Sequence, residues 1–234
     1  VKQMENRISH EIEEKEGLLN DIERVAELKL SPLVHHKNTL VDLRDYSFTY
    51  KGAEKPVIEG LTLTVNRGDR IALHGHNGCG KSTLIKRILQ SAGMETDLGD
   101  FTESGICETA SGLVVSYISQ DTSFLKGDIW SFCDSRGIDR TMFGALLRQL
   151  DLERVQFTKD MSDFSEGQKK KVLIASSLLT PAHLYIWDEP LNYIDIFSRM
   201  QIEKLLEEYR PTMIFVEHDT RFREKTGAEI VRLG

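Results

Sequence analysis

The sequence predicts an α/β fold, a largely parallel sheet covered by helices on both faces. Three observations predict it. Apolar strand patterns alternate with helical patterns along most of the chain. The apolar run "DRIALHG" passes through a glycine-rich turn into the helical pattern "GKSTLIKRILQS", the strand, loop, helix order of a parallel unit. A second buried strand, "HLYIW", follows Pro181 and ends on adjacent acids, Asp188 and Glu189.

In chain order, "ISHEIEEKEGLLNDIERVAEL" (8–28) sets Ile8, Ile12, Leu19, Ile22 and Ala26 on one stripe of a helix, with charged residues around them. Such a stripe needs a partner and reads as one arm of a coiled coil. Residues 1–30 carry Lys2, Arg7, Lys15, Arg24 and Lys29 against eight acids, a balance that suits a solvated arm better than an RNA-binding helix. Ser31-Pro32 stops the helix, and "SPLVHHKNT" reads as a linker. The expected division is therefore an arm over 1–39 and a main domain over 40–234. In that domain, "LVDLRDYSFTY" and "PVIEGLTLTV" alternate like antiparallel strands. Residues 94–119 hold short strands broken by Gly and Ser, ending in "GLVVSYIS". Residues 127–180 are mainly helical, with the capping-type "SDFSEG" ahead of "QKKKVLIASSLL", whose Lys169, Lys170 and Lys171 read as a solvated face. The remainder is helix "FSRMQIEKLLEEYR", strand "TMIFVEH", a short helix and a last strand "EIVRL".

Composition bounds the function. A chain of 234 residues, 40% hydrophobic, fills one domain plus an appendage. Cys79, Cys107 and Cys133 are odd in number and widely spaced, which points away from a disulfide framework or zinc site and towards the reducing cytoplasm. No apolar run approaches the ~18 residues of a membrane helix, so no membrane insertion is expected. With a formal net charge of -7, any nucleic-acid contact is local. A start at Val1 suggests processing or an excised fragment.

The chemistry begins at "GHNGCGKS", Gly75–Ser82, which fits G-x-x-x-x-G-K-[ST] between an apolar strand and a helix. Gly75, Gly78 and Gly80 allow a loop whose N–H groups turn inward, and the helix beginning near Lys81 adds its positive end. Lys81 is expected to reach the terminal phosphates and Ser82 to ligate Mg²⁺. His76, Asn77, Cys79 and Thr83 complete the loop and its helix start, with no side-chain chemistry assigned to His76 or Cys79. In "LYIWDEP", Asp188 and Glu189 emerge at the carboxyl end of a strand, beside that loop. Asp188 suits holding Mg²⁺ through water, and Glu189 suits orienting the attacking water.

With "FSEGQKKK" about twenty residues before "WDEP", the chain resembles the ATP-binding-cassette superfamily over 40–234. The family's other motifs are found in order. Gln120 in "YISQD" matches the glutamine loop, Ser165, Glu166, Gly167 and Gln168 the signature, "LNYID" with Asn192 and Asp195 the D-loop, and His218 the switch histidine. The resemblance implies a phosphate-loop cassette with a RecA-like core, an antiparallel β subdomain and a helical signature subdomain. It also implies a Mg²⁺-dependent ATPase, weak as an isolated domain. Two cassettes close face to face, each burying ATP against the other's signature; Gln120 completes the Mg²⁺ shell, and His218 contacts the γ-phosphate and water. Tyr50 matches the aromatic that stacks on adenine, although Tyr46, Phe48 and Tyr50 alternate and are open to ordinary packing. The signature departs from Leu-Ser-Gly-Gly-Gln at Phe164 and Glu166, and a side chain at 166 is expected to point away from nucleotide.

"DEPLNYID", with Asn192, looks more like the ABC-F style than the "S-A-L-D" style of transporters, and residues 1–30 look like the end of a hairpin arm joining two cassettes. "YIWDEPLNYID" together with "TMIFVEHD" further resembles the antibiotic-resistance branch. It implies two partners, an N-terminal cassette of the same parent chain and the ribosome, reached at rRNA and tRNA through the linker, with protection from lincosamide, streptogramin A and pleuromutilin drugs. Two alternatives stay open: a transporter's ATPase subunit, and a regulatory cassette that binds ATP without turnover.

Overall fold

The computed structural model describes Leu30 and residues 32–234; the stripe at 8–28 lies outside the described residues. The described chain forms two compact units. One comprises Thr122–Thr180 and Tyr193–Ile202; the other comprises Pro32–Asp121, Pro181–Asn192 and Glu203–Gly234.

The larger unit holds two sheets. Strands β1 (Thr39–Tyr50), β2 (Ile58–Asn66) and β4 (Phe101–Thr109) pair antiparallel in the order β2-β1-β4. Strands β3 (Arg70–His74), β5 (Val115–Ile118), β6 (Leu184–Asp188), β7 (Met213–Val216) and β8 (Glu229–Arg232) form an all-parallel sheet, order β5-β6-β7-β3-β8. Strands β6 and β7 are buried at every residue, which explains why they read as continuous apolar runs instead of alternating. Helix α1 (Lys81–Ser91) follows β3 and buries Leu84, Ile85, Ile88 and Leu89 in the core with Leu43, Phe48, Ile71 and Ile186.

Strand β4 runs unbroken through Ser104 and Gly105, where short interrupted strands were expected. Gly105 has φ +77°, and a Cβ there would lie 2.2 Å from the Asp45 carbonyl oxygen. It permits the register irregularity between Arg44 and Ser47 on β1, so this glycine preserves a strand at a bulge. The expected linker also differs. His35 is buried, its Nε2 lies 3.1 Å from the Ser111 carbonyl, and its Nδ1 accepts from the Lys37 N–H. Leu33 N–H donates to Ala182 O, so residues 33–37 pack on this unit.

The smaller unit is helical: α2 (Ile129–Ser135), α3 (Arg140–Gln149), two 3₁₀ turns and α4 (Glu166–Leu179). Asp128 and Asp139 cap α2 and α3 by accepting backbone N–H bonds. Helix α5 spans Ile196–Tyr209 and α6 spans Thr220–Thr226. The lysine triplet is not the solvated face its charge suggests: Lys170 and Lys171 are buried. Helix α4 is buried around its whole circumference from Val172 to Leu178, Ser176 and Ser177 included, so it is an interior helix with no broad solvated face.

Candidate nucleotide site

The phosphate loop owes its shape to glycines at close approaches. A Cβ on Gly75 would sit 2.3 Å from Leu233 O and 2.5 Å from Cys79 Sγ; one on Gly80, at φ +96°, would crowd Val57 and Ile58. Gly80 is the N-cap of α1 and no side chain caps the helix, so the N–H groups of the first turn remain suited to an anion. Lys81 is buried, and its Nζ donates to Gly75 O at 2.8 Å and His76 O at 3.0 Å. Behind the loop, burial, and then the charges of Arg223, Arg232, His218 and Lys81, push the His74 imidazole below its ordinary pKa. Positive charge is thus concentrated around the loop.

A cavity of about 450 Å³ opens over it, lined by Tyr50, Val57, Asn77, Gly78, Gly80, Lys81, Ser82, Thr83, Gln120 and Glu189. Of the expected nucleotide residues, Gly75, His76 and Cys79 do not line it. The first two present carbonyls to Lys81, and Cys79 packs in the core. Tyr46 and Phe48 are core residues, whereas Tyr50, at the end of β1, is 37% exposed and shares a 2.8 Å hydrogen bond with Thr83 Oγ1. The three alternating aromatics are thereby separated. Val57 went unrecognised in the sequence because nothing distinguishes it from a strand residue.

Asp188 is buried at the end of β6 and is not part of the lining. Glu189 follows in a left-handed conformation, φ +50°, held by its N–H donating to Val216 O. Its Oε2 accepts from Gln120 Nε2 at 2.9 Å and from Asn192 Nδ2 at 2.7 Å, and its Oε1 lies 3.8 Å from His218 Nε2. Gln120, Asn192 and His218 therefore meet at the Glu189 carboxylate. Glu217 was missed in the sequence. Buried, it accepts from the N–H groups of Leu191, His218 and Asp219, tying the segment after Glu189 to the one that carries His218. An acid closing the apolar run "TMIFV" beside His218 was the available signal.

The residues expected as signature, Ser165–Gln168, and Asp195 lie in the helical unit. Ser165 caps α4 in a reciprocal capping box: its Oγ accepts from Gln168 N, and its own N–H donates to Gln168 Oε1. Glu166 accepts from Thr122 Oγ1 at 2.6 Å and pairs with Lys169 at 3.2 Å; the Thr122 bond first, opposed by burial and aided by Lys169, holds its carboxyl below the ordinary range. Gly167 stands where a Cβ would meet Tyr193 O at 2.4 Å. Space is thus available at the first glycine position of the signature and not at the second, which accounts for the Glu166-Gly167 order. Lys171 pairs with Asp195 at 2.7 Å, and Asp195 accepts from Ser198 N and Oγ.

The family model described as "ABC transporter" matches residues 58–192, more than half of the chain. The chain belongs to the ABC transporter family. Among similar proteins, the ATP-binding protein Uup of Caulobacter vibrioides is 29% identical over 79% of this chain and 31% of its own length. The ribosome protection protein VmlR of Bacillus subtilis is 26% identical over 97% of this chain and 40% of its own. The ABC transporter F family member 5 of Arabidopsis thaliana is 28% identical over 83% and 28%. This cassette thus spans between 28% and 40% of the length of these relatives. A solved "ATP binding subunit of ABC transporter" shares its fold at TM-score 0.66 and 26% identity, covering 83% of this chain and 86% of that one. No helix among the described residues is long and apolar enough to cross a membrane.

Proposed function

We propose that this chain is the ATP-binding and ATP-hydrolysing cassette of an ABC-F protein that binds the ribosome and protects it from lincosamide, streptogramin A and pleuromutilin antibiotics. The observation that supports the ribosomal role is the likeness to VmlR, a ribosome protection protein, along 97% of the chain. ATP fits the cavity in chemistry: uncapped N–H groups at the start of α1, a buried lysine and an aromatic at the rim. Lys81 reaches the terminal phosphates, the loop amides of Asn77–Gly80 cradle the others, and Tyr50 stacks on adenine.

Ser82, Gln120 and, through water, Asp188 would hold Mg²⁺. Such a sparse protein shell suits an ion that keeps waters and phosphate oxygens as its remaining ligands. When bound, that ion supplies neutralisation of developing phosphate charge. Glu189 orients and deprotonates the attacking water from its Oε1 side, and His218 contacts the γ-phosphate and that water. Ser165, Gly167 and Gln168 act on nucleotide held by the N-terminal cassette of the same parent, so the isolated chain hydrolyses ATP weakly.

A second reading, the ATPase subunit of a transporter, draws on the shared fold with the solved transporter subunit. The parent reading frame separates the two: an upstream cassette supports ABC-F, and a membrane-spanning partner supports the transporter. The functional test is ATP-dependent co-sedimentation of the full-length parent with ribosomes, with rescue of drug-inhibited translation as its second arm.

A further inference from the structure

Asn192 stands where transporter-style D-loops carry serine, and it touches the candidate water-activating carboxylate. Its Nδ2 donates to Glu189 Oε2 at 2.7 Å, the shorter of the two amide bonds that this oxygen accepts. Glu189 itself has φ +50°, a conformation that non-glycine residues hold only where surrounding contacts impose it. Its backbone is tied to β7 through Val216 O, and its side chain to Asn192 three residues on and to Gln120 on another segment. The two carboxylate oxygens are consequently unlike: Oε2 is occupied by amide donors, while Oε1 has the His218 Nε2 3.8 Å away.

We infer that Asn192 is a positioning residue for Glu189, fixing one carboxylate oxygen so that the other faces the water to be deprotonated. The inference rests on the reading of Glu189 as the water-activating group. Gln120 would give its Oε1 to Mg²⁺, which leaves its Nε2 on Glu189 Oε2. Asn192 makes the shorter bond to the same oxygen from only three residues away, so it fixes Oε2 independently of the segment that carries Gln120. Serine at this position is shorter and carries one donor in place of two.

The test uses the full-length parent and two near-isosteric variants, Asn192→Leu and Asn192→Asp. The first removes the amide, and the second keeps its shape but replaces the donor with an acceptor. Steady-state ATPase assays should show kcat lowered about tenfold or more in both, with the KM for ATP unchanged. In a Glu189→Gln background, single-turnover rates should fall no further when Asn192 is replaced, because the group being aimed is gone. Full kcat in the Asp variant, a KM that rises in step with a falling kcat, or an equal loss in both backgrounds would each overturn the inference. A parent whose turnover survives Glu189→Gln alone would instead remove the reading on which it rests, and that single variant reports it separately.

Discussion

Asp195→Asn, in the helical unit, tests whether the D-loop end is anchored by charge. Burial opposes ionisation of Asp195. The Lys171 ammonium at 2.7 Å and the N–H and hydroxyl of Ser198 outweigh it, taking the carboxyl from the ordinary 3.8 to about 2. At full weight that shift is worth about 2.4 kcal/mol. The Asp195 side chain is 44% exposed, so solvent screening reduces its contribution to about 1 kcal/mol. Lys171, 8% exposed, would keep the Asp151 carbonyl at 3.2 Å and lose its counter-charge, adding on the order of another 1 kcal/mol. The expected loss is about 2 kcal/mol near neutral pH, or about 4–8 °C in melting temperature for a chain of this size. The sign follows from the depressed pKa. The stabilisation is complete above the unfolded aspartate value and is lost as pH falls through about 2. Melting of both proteins at pH 7 and pH 3 is the assay; the gap should narrow at the lower pH. A gap that is absent at pH 7, or that widens on acidification, would refute the ion pair as the anchor.

Gly105→Ala should lower the melting temperature by several degrees, because its Cβ has no room against Asp45 O and its φ is +77°, whereas Gly137→Ala, with open space around it, should cost less; differential scanning calorimetry compares them. Glu166→Gly removes the bond to Thr122 and the pair with Lys169, so the full-length parent should show an altered ATPase rate; an unchanged rate would show that the Thr122 contact does not bear on turnover.

The parts legible in the sequence are those whose geometry is local. The loop Gly75–Ser82 needs only a strand, its glycines and a helix start, and all three are contiguous. Antiparallel β1 and β2 and the buried strands β6 and β7 were legible for the same reason, since alternation and continuous apolar runs report burial directly. Contacts between distant segments were not legible. Thr122 with Glu166, Lys171 with Asp195, and Glu217 with Leu191 are brought together only by tertiary packing. The lysine triplet misled because local charge says nothing of a partner 24 residues away, although the run "VLIASSLL" already marked an interior helix. "SPLVHHKNT" misled similarly: its polar composition reads as a linker, and His35 is nonetheless buried with backbone partners on both ring nitrogens.

The proposed function rests on two linked roles, water activation by Glu189 and ATP-dependent ribosome binding by the full-length parent. Glu189→Gln in the full-length parent removes the carboxylate proposed to activate water, and loss of such a group slows turnover by about 10²- to 10⁴-fold. The most direct measurement is sedimentation of that variant with ribosomes, with and without ATP. ATP binding should be retained, and the ribosome-bound fraction should rise with ATP, above that of the unmodified parent. Undiminished turnover, or a bound fraction indifferent to ATP, would contradict the proposed function.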